Sequence, residues 1–515
     1  MITSLKHKLT HTITGGAIII AAFSLLSRLL GLVRDRLLFS IFGAGDVLDS
    51  YYAAFRLPDL VFNTLILGAL SAAFIPVFLE YWHKDKKEAW RIANTVLNTT
   101  LLILFVFGVA AFIFAPEIVQ IIAPGFELQK RLATAELTRI MLIGILFLGL
   151  SNVASSILNA FKRFTAFALA PVMYNLGIIA GILILVPWFG VEGLAWGVVL
   201  GAMLHFFVQF PSIAKLGFKY KVLFSWRNAG VKKIEKLMLP RTFGLAISQI
   251  NQVVNTIIGS TLPVGSVAIF NAANNLQNVP IGIFAIPLSL AYFPIFSEAW
   301  VKQDIPRLIA SFSQAVRRLL AIAIPASIFM ILLRAHVVRL VLGAGQFDWT
   351  ATILTARTLS LFAISLFAQC LIPLIARVFY SLQDTKTPVA ISILALALNI
   401  FLAFPLSAKM GIAGLALSFS LVSLFNVAGL WLCLHHRLGN LDDQTIFRST
   451  LIICLLSIIA GWSLYGALYL VGPAVNTHTA VGLLLQAGAA GAVGLTVYLV
   501  LGKLVGMEEL RFSKK

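Results

Sequence analysis

The sequence predicts an all-α polytopic membrane protein: fourteen transmembrane helices, arranged as two parallel six-helix lobes plus a C-terminal helix pair. Three observations lead there. Of the 515 residues, 60% are hydrophobic and only 11% are charged, a balance that would precipitate a soluble domain. Apolar runs of the ~20 residues needed to cross a bilayer recur from end to end. The chain also repeats itself: "GVEGLAWG" (190–197) returns as "GIAGLALS" (411–418), and "AAFIPVFLEYWHKD" (72–85) as "LAYFPIFSEAWVKQ" (290–303). The second echo aligns Pro76 with Pro294, Glu80 with Glu298 and Trp82 with Trp300.

Taken in order, the apolar runs are 14–42, 48–81, 91–122, 133–161, 166–187, 192–215, 238–262, 265–298, 307–342, 351–381, 387–405, 411–435, 446–471 and 478–505. Both echoes have nearly one offset, which gives an N-terminal lobe (1–237) and a C-terminal lobe (238–440). Six spans per lobe make the lobes parallel repeats, with a functional cavity expected between them. Residues 441–515 form the C-terminal helix pair and tail. The net charge of +19 sits in alternate loops, such as Lys84, Lys86 and Lys87, then Lys162 and Arg163, then 215–236. That pattern marks cytoplasmic loops rather than a nucleic-acid groove, and it puts both termini in the cytoplasm. The basic stretch 1–11 precedes an apolar run with no small-residue cleavage site, so a retained first span is expected. Cys370, Cys433 and Cys454 lie in apolar runs and read as packing residues.

The first span carries Arg28, Arg34, Asp35 and Arg36 where lipid-facing residues belong. With Arg28 at zero on a helix turning about 100° per residue, Asp35 falls close by, Gly31 about 60° round and Arg34 about 120° round. Ser24 and Ser27 share that arc, and Arg36 falls opposite. A charge at mid-membrane costs ~3 kcal/mol on insertion scales, so the stripe demands a wet cavity or partners. The alternatives are a structural Arg34–Asp35 pair and a snorkelling Arg36. "DSYYAAFRLPDL" (49–60) adds Asp49, Arg56 and Asp59 around Pro58, which should break or kink its helix. Asp49 could instead cap that helix. Excess cationic charge favours an anionic ligand, and arginine suits a phosphate or diphosphate.

In the second lobe the matching stretch, "FNAANNLQNVPIGIF" (270–284), has Asn271, Asn274, Asn275, Gln277 and Asn278 in place of charge. Such amides either contact sugar or peptide groups or bind helices together. "SQINQVVN" (248–255) supplies four more amides. No metal-ligand spacing, Walker A sequence or catalytic constellation is present, so no cofactor, metal or enzymatic activity is expected. His205 reads as a satisfied helix contact.

"SRLLGLVRDRLLFSIFGAGDVLDSYYAAFRLPDL" (27–60), "GALSAAFIPVF" (68–78), "APGF" (123–126) and "SLQDTKTPV" (381–389) resemble the MurJ (MviN) lipid II flippase family. That family lies within the multidrug/oligosaccharidyl-lipid/polysaccharide exporter superfamily. The resemblance covers nearly the whole chain and implies fourteen helices in the bacterial cytoplasmic (inner) membrane. It also implies movement of undecaprenyl-diphosphate-disaccharide-pentapeptide from inner to outer leaflet by alternating access, without ATP. On it, Arg28, Arg34, Asp49 and Arg56 match motif positions, the arginines meet the diphosphate, and 446–505 line a groove for the prenyl tail. Expected partners are lipid II or a related polyprenyl-diphosphate glycolipid, membrane lipids and a candidate coupling ion. The sequence departs from the family at Phe62, Asn63 and Leu67, where many members carry a pair of arginines and a glutamate. It departs again at Asn275, where an arginine is common, and at Ala403, where the ion site that includes the Asn399 helix would need an acid. A flippase for another polyprenyl-diphosphate glycan, a multidrug antiporter and a non-transporting scaffold are the alternatives.

Overall fold

The computed structural model describes residues 13–65 and 69–510, which form helices and short turns without a strand among the described residues. The basic stretch 1–11 and Leu67 lie outside them. The chain divides into two compact units, Met1–Val267 and Ala268–Lys515.

The first unit begins with α1 (Ile13–Phe42), α2 (Asp46–Ala54), α3 (Arg56–Leu65) and α4 (Ala69–Lys84). The expected single 48–81 helix is interrupted at Phe55, three residues before Pro58. Pro58 lacks the N–H that would bond the Ala54 carbonyl, and the Thr138 hydroxyl approaches that carbonyl instead, at 3.5 Å. Next come α5 (Lys86–Ile113), α6 (Ala115–Ile122) and α7 (Leu128–Ala160). They are followed by α8 (Phe164–Ala180), α9 (Glu192–Phe207), α10 (Phe210–Ala214) and α11 (Ala229–Ser260). Helix α11 starts nine residues before the expected 238, because Asn228 caps it by accepting from the Gly230 and Val231 N–H groups. Its early residues Val231 and Ile234 are buried in the same apolar core as Phe74, Phe78 and Ile92. Helix α11 also packs on α3 and α4, which places it in the first unit by contact.

The second unit takes most of α12 (Ser266–Pro280), then α13 (Ile286–Val301), α14 (Ile305–Leu332) and α15 (Arg334–Val341). It continues through α16 (Trp349–Ala363), α17 (Leu366–Ser381), α18 (Lys386–Met410), α19 (Ile412–Leu438), α20 (Asp443–Val471) and α21 (Ala480–Leu504). The terminal pair, α20 and α21, pack on each other, and α20 packs on α14. There Gly461 lies against Ile328, and Gly494 against Phe329 and Leu464.

Ten described helices are long and apolar enough to cross a bilayer. The α16–α17 pair, bent by 46°, adds an eleventh if taken as one span. Segments 13–42, 46–84 and 229–260 fall outside that set. The 46–84 stretch is divided into helices of 9, 10 and 16 residues, each shorter than a span.

The internal repeat is visible in the backbone. Gly190 (φ 58°, ψ −140°) and Gly411 (φ 62°, ψ −142°) adopt one left-handed turn conformation. Three residues on, a Cβ on Gly193 would strike the backbone of Leu185 and Val186, and one on Gly414 that of Leu406 and Ser407. Lys162 (φ 56°) and Gln383 (φ 58°), both non-glycine, match at the same offset.

Candidate functional site

Helix α1 meets α8 along the face that carries the first-span charges. Arg34 donates from Nη2 and Nε to Asp35 Oδ1, at 2.7 and 3.0 Å. Its Nη1 donates to Asn175 Oδ1 at 3.2 Å. The Asn175 amide in turn donates to the Ser27 hydroxyl at 3.1 Å and to the Pro171 carbonyl at 3.1 Å. Gly31 leaves room for this: a Cβ there would meet only Asn175 Oδ1, at 3.8 Å. The expected stripe is therefore split. Ser27, Gly31 and Arg34 face Asn175 of α8, while Ser24 is exposed and Arg28 half-buried.

Arg34 and Asp35 are 22% and 5% exposed at the side chain, so the pair sits in a partly desolvated setting. Arg28, six residues earlier, has no hydrogen-bond or ion-pair partner among the described residues. Tyr51 and Tyr52 pack edge to face beside the pair, at 5.5 Å between centroids. The Tyr52 hydroxyl is buried without a partner among the described residues, which leaves it for a water or a ligand oxygen.

Arg56 is buried and donates from Nε to Thr256 Oγ1 of α11 at 2.7 Å. Two turns further along the same face of α3, Asn63 Nδ2 reaches Gln249 Oε1 at 3.4 Å, in the amide-rich stretch of α11.

Asp49 is 2% exposed and does not act as a helix cap. Its Oδ2 accepts from Lys130 Nζ at 2.8 Å and from the Gly265 N–H at 2.7 Å. Lys130 also reaches Asp46 at 2.6 Å and lies over the Phe126 ring at 4.1 Å. The "APGF" turn closes on the same place, with the Gly125 N–H donating to Ser260 Oγ at 3.2 Å. Three turns (43–46, 123–127 and 260–265) thus converge on Asp49, at the end of the unit whose loops are nearly free of basic residues.

In the second unit the amides pair with each other. Gln277 Nε2 donates to Asn274 Oδ1 at 2.9 Å, and Gln369 Nε2 donates to Gln277 Oε1 at 3.0 Å and to Ser365 Oγ at 2.9 Å. Ser365 Oγ donates to Ser420 Oγ at 2.9 Å, which closes onto the Leu361 carbonyl at 2.6 Å. Asn275 is half-buried. Asn399 accepts from Ser418 Oγ at 3.0 Å, and Ala403 is fully buried on the same helix.

Sequence reasoning placed Arg34 with Asp35 but missed Asn175 and Thr256, their partners on other helices. The signal for Asn175 was present: a lone amide in an apolar run, the same cue that drew attention to 271–278. His205 is a satisfied contact, its Nδ1 lying 2.6 Å from Ser151 Oγ. No group of three or more His, Cys, Asp or Glu among the described residues could hold a metal.

A helical chain with many membrane-length spans, an internal repeat and a cationic polar site is a multi-pass transporter. Solved structures agree on the fold. An inward-facing multidrug-resistance MATE family transporter of the MOP superfamily superposes with a TM-score of 0.66 at 17% identity, covering 83% of this chain and 99% of its own. A structure described as "Lipid II flippase MurJ, inward closed conformation" superposes at 0.80 and 24% identity, covering 96% and 100%. The family profile "Lipid II flippase MurJ" matches residues 38–486. The Burkholderia cenocepacia lipid II flippase MurJ is 32% identical over 81% of this chain and 83% of its own length. A probable lipid II flippase MurJ of Haemophilus influenzae is 28% identical over 88% and 91%. The chain belongs to the MurJ lipid II flippase family, as an inner-membrane multi-pass protein.

Proposed function

We propose that this chain moves lipid II from the inner to the outer leaflet by alternating access, through fourteen crossings with both termini cytoplasmic. It does no bond chemistry. The observation that carries the reading is the charge on α1: Asp35 is taken up by Arg34, while Arg28 has no carboxylate partner among the described residues. An uncompensated cation in a membrane span costs ~3 kcal/mol and persists where a ligand uses it. A diphosphate suits it, because guanidinium groups grip phosphate oxygens in pairs. Arg34 turns toward the diphosphate by exchanging Asp35 for phosphate oxygens, and Tyr52 supplies a hydroxyl donor. The prenyl tail lies along α20 and α21, and the energy comes from membrane potential or an ion gradient rather than ATP.

The test is rescue of cells depleted of their own lipid II flippase by the native chain. Growth is expected; failure at normal membrane levels of the protein overturns the lipid II assignment. Phe62 and Asn63, where many relatives carry arginines, favour one second reading, a flippase for another polyprenyl-diphosphate-linked glycan. That reading predicts failure of this rescue, with Arg28 still required for the chain's own cargo.

A further inference from the structure

Between α10 and α11 the chain runs without helix from about 217 to 228. This segment does not stand off into solvent. It lies along α5, and side chains of α5 serve its backbone as a neighbouring strand would. Asn94 accepts from the Lys221 N–H at 2.7 Å and donates to the Lys219 carbonyl at 3.2 Å. One turn on, Asn98 donates to the carbonyls of Lys221 and Leu223 at 2.8 and 3.1 Å. Trp226 Nε1 donates to Thr99 Oγ1 at 3.0 Å. Irregular backbone is tolerated at membrane depth only when its polar groups are met internally, and Asn94 and Asn98 meet them here.

The outward side of this strap combines two chemistries. Tyr220, Val222, Phe224 and Trp226 are exposed, with the aromatic character of a membrane–water belt. Lys219, Lys221 and Arg227 are exposed among them, and none has a carboxylate within 4 Å among the described residues. Some basic-loop cations are instead held by carboxylates: Lys84 by Glu80, Lys302 and Arg307 by Glu298, and Arg437 by Asp384. Beneath the strap are two apolar cavities of about 380 and 320 Å³, both walled by Tyr220 and Leu101. Each is at the small end of the ~300–1,000 Å³ range of ligand pockets.

We propose that this strap is a binding site for an anionic phospholipid of the surrounding bilayer. The phosphate lies against Lys219, Lys221 and Arg227, and an acyl chain enters the cavities under Tyr220. Anionic lipids gather at membrane faces rich in lysine and arginine, and each basic residue strengthens that attraction severalfold.

The test is native mass spectrometry of the full chain in detergent, titrated separately with phosphatidylglycerol and with phosphatidylcholine of the same acyl chains. The native protein should retain phosphatidylglycerol preferentially. The Lys219→Ala/Lys221→Ala/Arg227→Ala variant, altered only at exposed residues, should lose that preference by at least about tenfold. Leu101→Trp, which pushes a larger side chain into the wall shared by both cavities, should weaken the two lipids alike. Arg34→Ala should leave the preference intact, which separates this site from the proposed substrate site. Equal retention of both lipids by the native chain overturns the proposal, as does an unchanged preference in the triple variant. Displacement of phosphatidylglycerol by excess inorganic phosphate would reveal a free-anion site and also overturn it.

Discussion

Two polar sites inside apolar helices, one in each unit, are built in opposite ways. In the first, α1 carries charge: Arg34 is offset by Asp35 and steadied by Asn175, and Arg28 remains over. In the second, neutral side chains form a chain from Asn274 through Gln277, Gln369 and Ser365 to Ser420, each donor meeting an acceptor. A satisfied amide network ties helices together, and its hydrogen-bonding capacity is used up. A charge without a partner has its capacity intact. Under the proposed lipid II reading, ligand contact falls to the first unit and helix cohesion to Asn274 and its neighbours.

The largest expected effect follows from separating the two arginines. Arg28→Ala should abolish rescue of flippase-depleted cells while leaving membrane protein levels and melting temperature unchanged, because it breaks no observed contact. Arg34→Ala should abolish rescue and also lower stability, since it removes the guanidinium whose Nη2 and Nε donate to the buried Asp35 carboxylate. Removing one partner of a buried ion pair costs ~3–5 kcal/mol at most, and the carboxylate left behind is 5% exposed. Removing Asp35 as well should restore the melting temperature without restoring rescue. Wild-type rescue by Arg28→Ala would break the comparison outright.

Next in size is the closure around Asp49. Gly265 has φ 87°, and a Cβ there would run into the Ala44 carbonyl. Gly265→Ala therefore meets both left-handed strain, ~1–2 kcal/mol, and a backbone collision, and it should detach the N–H that Asp49 accepts. Gly411→Ala bears only the strain, because nothing lies within 4 Å of its Cβ position. Thermal melting should rank Gly265→Ala well below Gly411→Ala. Equal losses would show that the three turns are not packed as described.

Much of this arrangement was legible in the sequence. Hydrophobic run length located nearly every helix, because a span of fixed thickness leaves a run of fixed length. The echo of "GVEGLAWG" in "GIAGLALS" located two turns whose glycines adopt one conformation. The Arg34–Asp35 pair was visible because both residues lie on one helix. What was not legible is what lies across helices. Asn175 is 141 residues from Arg34, and Thr256 is 200 from Arg56. Helical periodicity gives the face of a residue but not the residue opposite. The early start of α11 was hidden by lysines, which mark a loop by composition while Val231 and Ile234 fill the core.

A smaller effect tests the second unit's side of the contrast. Gln369→Leu removes the donor to both Gln277 and Ser365 and leaves the buried Gln277 carbonyl oxygen short of a partner. An unsatisfied buried acceptor costs ~1–3 kcal/mol. The melting temperature should fall by the corresponding few degrees, with rescue retained. Loss of rescue without loss of stability would move the amide network from cohesion to ligand contact.

The smallest effect comes from a turn that recurs at Lys162, Gln303 and Gln383, and it concerns the first and last of these. Lys162 and Gln383 share a left-handed conformation; Arg163 then directly precedes α8, whereas Asp384 stands two residues before the start of α18. Arg163 makes no cap, whereas Asp384 accepts from the N–H groups of Lys386 and Thr387 and from the Thr387 hydroxyl. Partial burial alone would raise the Asp384 carboxyl. The Thr387 hydrogen bonds, the Arg437 guanidinium and the Lys386 N–H outweigh it and hold the group below the ordinary carboxylate range. A carboxyl that is more acidic folded than unfolded stabilises the fold above its ordinary pKa. That contribution fades as pH falls through the lower folded value. Glu80, Glu298 and Glu509 are held low as well, so melting measured from about pH 7 down to about pH 3 should show an acid loss that is smaller, not absent, in Asp384→Ala. The variant should be ~1 kcal/mol less stable at neutral pH through the lost cap. Arg437→Ala should cost less, since that arginine is 39% exposed and such pairs contribute under ~1 kcal/mol. Arg163→Ala should change neither the neutral stability nor the acid limb, because no cap is lost. An acid limb undiminished in Asp384→Ala would place its origin wholly in other carboxylates and remove this last difference between the two turns.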